Sequence, residues 1–190
     1  MLPRAIRMLG LAAAALPFIF SAGSAQEQER GLRLSAGWGA AVPFETSSPV
    51  AGATHGLRFG VDGRVTDWLS AGVEWMGTWF VTEYGNERRY NVGLSATAYP
   101  FGGFFVSTGI GYGLASRVTI DGPPEDCCGD VVIGFHELDS GSGLTLSTGF
   151  DARITRHWIL TPVVSVAYQR VGGETVGFGW FGGRIAFDTR

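Results

Sequence analysis

Lysine is absent from this 190-residue chain: all 14 basic side chains are arginine. Two readings stay open, multidentate pairing of guanidinium groups in a confined space and a nucleotide bias of the source genome. Cysteine occurs only as the adjacent pair Cys127 and Cys128. That excludes a disulfide-dense scaffold, and with the distant His136 it leaves too few ligands for a transition-metal site. Beyond residue 25 no run approaches 18 continuous apolar residues, so no helix is expected to cross a membrane. A closed β-barrel is not excluded by this, because closure satisfies every backbone donor and acceptor without a helix. The 17 acidic residues outnumber the bases, which argues against a nucleic-acid partner.

What the chain does contain is glycine, 30 residues, and phenylalanine, 13 residues, arranged in long alternating runs. Before these runs, Arg4 and Arg7 form a basic start, Met8 to Phe20 is apolar, and Gly23-Ser24-Ala25 offers small residues at a cleavage position. Residues 1–25 thus read as a secretory signal, with residues 26–190 as one domain carrying 12 basic and 17 acidic side chains.

The alternation has an unusual polarity. In Leu32 to Val42 the even positions are Leu, Leu, Ala, Trp, Ala and Val, and the odd positions are Arg, Ser, Gly, Gly and Ala. A strand sends successive side chains to opposite faces, so one face is oily and the other is small and polar. Soluble sandwiches place long hydrated side chains on the polar face. A narrow barrel in lipid instead needs small residues and a few paired charges in its lumen. Similar runs lie at about 32–44, 54–66, 69–83, 88–99, 103–118, 142–155, 158–171 and 176–187. The fold expected is all-β, an eight-stranded antiparallel up-and-down transmembrane barrel. Pro162, which lacks a ladder donor, is expected beside an irregularity.

The connections Thr66-Asp67-Trp68, Tyr99 to Gly103 and Thr155-Arg156-His157 are short. Pro43 to Ala53, Glu83 to Glu87, Thr119 to Gly141 and Val171 to Thr175 form the longer set. In outer-membrane barrels short turns face the periplasm, so both termini are expected there, with Trp68, Phe101, Phe104 and Trp158 as interfacial aromatics.

One element recurs: Gly60-Val61-Asp62-Gly63-Arg64-Val65-Thr66 reappears 89 residues later as Gly149-Phe150-Asp151-Ala152-Arg153-Ile154-Thr155. Each copy puts Asp and Arg on the small polar face just before a short turn. With Arg33 and Arg184 these residues are expected to form a charged network that plugs the barrel floor, extended upward by Glu74 and Arg58. An unpaired ion there would be expensive, which favours mutual pairing. The plainer alternative is a common turn-entry pattern with hydrated charges.

The leader, the eight runs, Tyr99-Pro100-Phe101-Gly102-Gly103 followed by Gly109-Ile110-Gly111-Tyr112-Gly113, and Leu160-Thr161-Pro162-Val163-Val164-Ser165 preceding Tyr168 together resemble the small outer-membrane β-barrel domain family of OmpA-like and OmpX-like proteins. The resemblance spans nearly all of residues 26–190. It implies insertion into the outer membrane by the barrel-assembly machinery and contact with outer-membrane lipid and lipopolysaccharide; it implies no reaction. Such barrels commonly end on an aromatic residue, whereas here Phe187 is followed by Asp188-Thr189-Arg190.

Other chemistry is sparse. The stretch Thr119 to Gly141 holds Asp121, Glu125, Asp126, Asp130, Glu137 and Asp139 without calcium-loop spacing, and reads as a solvated acidic loop. Cys127 and Cys128 could form a vicinal disulfide, remain thiols or bridge to another chain. A lipid A deacylase type would pair His with a Ser two residues on, but Leu57, Leu138 and Ile159 follow His55, His136 and His157 at that spacing. No cofactor, metal or catalysis is expected. The function expected is a structural or surface-interaction barrel with a mostly filled lumen; the alternatives are a narrow passive pore and, last, a lipid A-modifying enzyme.

Overall fold

The computed structural model describes residues 31–45, 54–82, 85–121 and 132–189. Strands β1 (Leu32–Glu45), β2 (Thr54–Arg64), β3 (Leu69–Thr82), β4 (Gly85–Phe101), β5 (Phe104–Asp121), β6 (Val132–Phe150), β7 (Ala152–Arg153), β8 (Trp158–Val171) and β9 (Glu174–Asp188) pair antiparallel with their chain neighbours. β1 also pairs with β9, closing the sheet. Segments β6 and β7 are one barrel strand interrupted at Asp151, since both pair with β8 in the same register, Gly149 with Val163 and Ala152 with Leu160. The barrel therefore has eight strands, and the chain is all-β as its period-two pattern predicts. The interruption lies beside Pro162, whose missing N–H weakens the ladder at that point.

The register sets the barrel's width. Arg33 faces Asp62, and the path continues through Gly72, Ser95, Gly109, Thr145, Ala167 and Phe178 to Pro43, ten residues further along β1. Eight strands with this stagger tilt by about 40° and enclose a space that side chains can fill. Residues 32 and 188 meet at one end, here termed the terminal end; the opposite end is termed distal.

Side-chain direction follows the alternation. Along β1 the odd residues point inward and the even ones outward, with Trp38 66% exposed. Ile110 at 65%, Leu146, Val164 and Ile185 likewise cover the outer wall. This exposed apolar surface has no soluble counterpart of ordinary patch size, and it suits acyl chains.

The hairpins differ from expectation at the distal end. Strands β5 and β6 pair as far as Asp121 with Val132, so Thr119 to Asp121 and Val132 to Gly141 are strand rather than loop, and only 122–131 connects them. Backbone pairing propagates through the polar residues of this stretch because each strand gives the other a ladder partner, an effect no local pattern records. Likewise Val171 faces Glu174 across Gly172 and Gly173, both with positive φ (62° and 85°), a backbone state that glycine adopts at little cost and that primed hairpin turns require. Thr82 pairs with Gly85, so the second connection of the longer set is also tight. The residues 46–53 and 122–131, including Cys127 and Cys128, and the leader lie outside the described residues.

Closure demands close backbone approach at Gly39, where an added Cβ would lie 2.2 Å from the Phe181 carbonyl oxygen. Gly39→Val is accordingly expected to abolish folding of the barrel, read as loss of the fast-migrating unheated band on a detergent gel. A variant that still migrates as two heat-interconverted bands would contradict this.

Candidate functional site: a filled lumen

The lumen is built in layers. At the terminal end Arg33 reaches from β1 across the barrel, donating from Nη1 to Asp151 at 2.5 Å and to the Tyr99 hydroxyl at 2.7 Å. Asp151 also accepts from Thr161 at 2.7 Å and lies 3.6 Å from the Arg184 guanidinium. One carboxylate thus ties together β1, β8 and β9. The interruption of its own strand frees Asp151 for this, while its backbone N–H donates to Gly103 at 2.8 Å. Tyr99 is flanked by the guanidinium carbons of Arg33 and Arg64, 5.6 and 5.9 Å from its ring centroid, and Arg184 sits 5.2 Å over Phe105. Delocalised guanidinium groups favour such faces where water is scarce.

Asp62, Arg64, Arg33, Ser70, Tyr99 and Asp188 surround a small cavity at this end. The two copies of the repeated element build the same turn: Val65 and Thr66 donate to Leu69 O at 2.9 and 3.0 Å, and Ile154 and Thr155 donate to Trp158 O at 2.9 and 3.2 Å. Their aspartates face the lumen, but their arginines do not share one fate. Arg64 borders the floor, whereas Arg153 is 52% exposed at the rim and meets Asp188 at 3.4 Å. Arg153 is therefore corrected from floor to rim. Its backbone is still paired opposite Ile159, but its long stem carries the charge out to the rim, where it stays hydrated.

Above the floor Arg58, only 3% exposed, spans the lumen from β2. It pairs with Glu74 and donates to Ser165 at 2.7 Å and Ser147 at 2.9 Å, while Ser165 donates to Ser147 at 2.9 Å. Towards the distal end Glu87 and Arg89, two apart on β4, form a second buried pair.

Between these polar layers lies an apolar plug of Met76, Phe80, Phe178 and Trp180 with Ala41 and Ala167. Trp180 is fully buried, its ring 3.0 Å from the Cβ position of Gly56, and Phe80 meets Phe178 edge-on at 5.8 Å. Met76 and Phe80 share the inward parity of Glu74 on β3, as the alternation predicts; Phe178 and Trp180 escape the sequence analysis. A signal exists, because Arg184 is expected inward and residues 178 and 180 share its parity on one strand. The Glu87–Arg89 pair, Tyr99 and Asp188 also escape it.

The aromatics Trp68, Phe101, Phe104 and Trp158 all stand at the terminal end, with Phe101 stacked on Phe104 at 5.0 Å and Trp158 edge-on to Phe187 at 5.2 Å. At the other end of the wall Tyr168 and Tyr90 stand outward, each followed distally by an outward arginine, Arg170 and Arg88. From Trp158 to Tyr168 is ten residues along β8, which at about 3.3 Å per residue and a 40° tilt gives roughly 25 Å, the height of an apolar transmembrane band. Of the histidines, His55 stacks on Trp79 and the ring of His157 meets the Asp188 carbonyl at 3.1 Å. Among the described residues no group of His, Cys, Asp and Glu could hold a metal ion, and no helix is long and apolar enough to cross a membrane.

No protein-family model matches the chain, and no curated protein matches it in sequence. Solved structures do match in fold. Neisserial surface protein A is 17% identical, with a TM-score of 0.54 over 82% of this chain and 96% of that one. The attachment invasion locus protein Ail of Yersinia pestis is 13% identical, with a TM-score of 0.57 over 84% and 100%. The outer membrane protein OprG of Pseudomonas aeruginosa is 13% identical, with a TM-score of 0.51 over 83% and 96%. The chain is thus similar in fold, along most of its length, to the small eight-stranded barrels of the outer membrane.

Proposed function

We propose that this protein is an integral outer-membrane barrel whose lumen is closed and whose role is structural or one of surface interaction. The observation that carries the reading is the pairing of an oily outer wall with a lumen filled by Arg58, the Arg33–Asp151–Arg184 floor and the Trp180 plug. In this reading the leader is removed after Ala25, the barrel-assembly machinery inserts residues 26–190, and the terminal end faces the periplasm. The charged network of Arg33, Asp62, Arg64, Asp151 and Arg184 then seals the floor, with Arg58 and Glu74 extending it upward. The distal hairpins face outward, where the outer leaflet carries lipopolysaccharide. Ail has been solved with the heparin analogue sucrose octasulfate, which supports surface binding as a role for this fold. The stretch 119–141 here carries six carboxylates, so a polyanion is not the partner inferred for this chain.

Extraction of the envelope in detergent tests this reading. The protein is expected in the outer-membrane fraction and to run faster unheated than boiled, because a closed hydrogen-bonded barrel resists unfolding by detergent. Comigration of the two samples, or recovery in the soluble fraction, would overturn it.

A further inference from the structure

On the outer wall of β2, β3 and β4 the aromatic side chains are joined into one surface. His55 stacks on Trp79 (5.4 Å, 23°), Trp79 meets Tyr90 edge-on (6.5 Å, 89°), Tyr90 stacks on Trp75 (5.8 Å, 29°), and Trp75 tilts against Phe59 (5.5 Å). The surface is built by the backbone beneath it. Gly77 lies under the Trp75 ring, 2.4 Å from it at the position of an added Cβ, so any larger residue there would push the Trp75–Tyr90 stack apart. His55, Trp79 and Arg88 occupy one cross-strand row at the distal edge of this surface.

Arg88 is the odd member. Its Nε is buried and has no hydrogen-bond partner, and among the described residues no carboxylate pairs with it. The carboxylate next to it in the chain, Glu87, points the other way and pairs with Arg89 in the lumen. A guanidinium on the lipid-facing wall with no carboxylate partner among the described residues favours an anion from outside the chain, met by its terminal nitrogens. The position narrows the class. Arg88 stands one outward step beyond Tyr90, where acyl chains give way to headgroups, and Trp79 and His55 offer flat faces beside it. Aromatic faces next to a cation suit a sugar ring bearing a phosphate.

We propose that His55, Trp79, Tyr90 and Arg88 form a binding site on the barrel wall for the phosphorylated sugar headgroup of an outer-leaflet glycolipid. Arg88 engages the phosphate, Trp79 and His55 cover the sugar, and Phe59 and Trp75 continue the contact along the acyl chains. The inference rests on the outer-membrane reading above and assigns a lipid class to one face of the wall.

The test is lipid retention by the full chain in detergent, read by native mass spectrometry after titration with bisphosphorylated lipid A, dephosphorylated lipid A or phosphatidylglycerol. The wild type is expected to prefer bisphosphorylated lipid A over both others. Arg88→Gln is expected to weaken that lipid roughly tenfold, as for a charged hydrogen bond lost, and to leave dephosphorylated lipid A unchanged. Trp79→Leu should weaken both glycolipids roughly threefold or more and spare phosphatidylglycerol. Arg156→Gln, at a turn of the terminal end, should change nothing. Equal retention of the three lipids by the wild type, or an Arg88→Gln protein that binds like it, would overturn the site. Heat-modifiable migration of each variant separates the two levels. Intact barrels without lipid preference sink the site alone, and a wild type that forms no barrel sinks both readings.

Discussion

Replacing Arg58 with alanine is expected to destabilise the folded barrel by about 3–5 kcal/mol, the scale for removing one partner of a buried ion pair. Among the described residues Arg58 alone joins Glu74 on β3, Ser147 on β6 and Ser165 on β8. Its loss leaves Glu74 as an uncompensated charge in a space closed above by Trp180 and below by the Arg33–Asp151 floor. The sign of a second variant distinguishes pairing from simple space filling. Arg58→Met combined with Glu74→Leu removes both charges and keeps apolar volume, so much of the stability should return. Urea titration of the detergent-folded protein reads both effects. If Arg58→Ala unfolds at the wild-type midpoint, the strut bears no weight; if the double variant is no better than the single, the loss is one of hydrogen bonding to the two serines and not of charge balance.

The second large effect concerns the lumen as a barrier. In planar bilayers the wild type is expected to give no steady conductance, since ions would have to pass both an apolar layer and a paired ionic one. Phe178→Ala with Trp180→Ala removes two of the four large apolar side chains of this layer and leaves Met76 and Phe80 beside Thr78, Ala41 and Ala167. Step-like conductance is expected to appear, together with a destabilisation of about 3–5 kcal/mol for each large-to-small change. Steady conductance in the wild type would favour the passive-pore reading over a closed lumen. Silence in the double variant would place the seal in the ionic floor, and adding Asp151→Asn, which breaks its links to Arg33 and Arg184, would then be the variant that conducts.

These two layers differ in how far they could be read from residue order. The inward placement of Arg58, Glu74, Asp62 and Asp151 follows from the two-residue period alone, because each lies on the small polar phase of a long run. The partner of each charge does not follow. Arg33 faces Asp62 in register on the next strand, yet its side chain crosses the lumen to Asp151. Asp62 and Asp151 sit at equivalent positions of the same repeated element; the choice between them depends on how far a side chain must travel across the barrel, and no spacing along the chain encodes that distance. Arg153 shows the same limit from the other side. Its parity matches Asp151 and its backbone is still paired with β8, but its side chain turns out to the rim, where the charge stays hydrated.

By itself, the sequence determined the strand count, which face of each strand is oily, the cluster of Trp68, Phe101, Phe104 and Trp158 at one end, and the irregularity beside Pro162. All of these arise from alternation and turn chemistry within a dozen residues. Tertiary structure alone decided the ten-residue stagger, and through it which charges meet across the lumen, how far β5 and β6 continue as a hairpin, and the packing of Trp180 against Gly56. Such contacts join residues that are neighbours only once a sheet has closed, and closure is a property of all eight strands together.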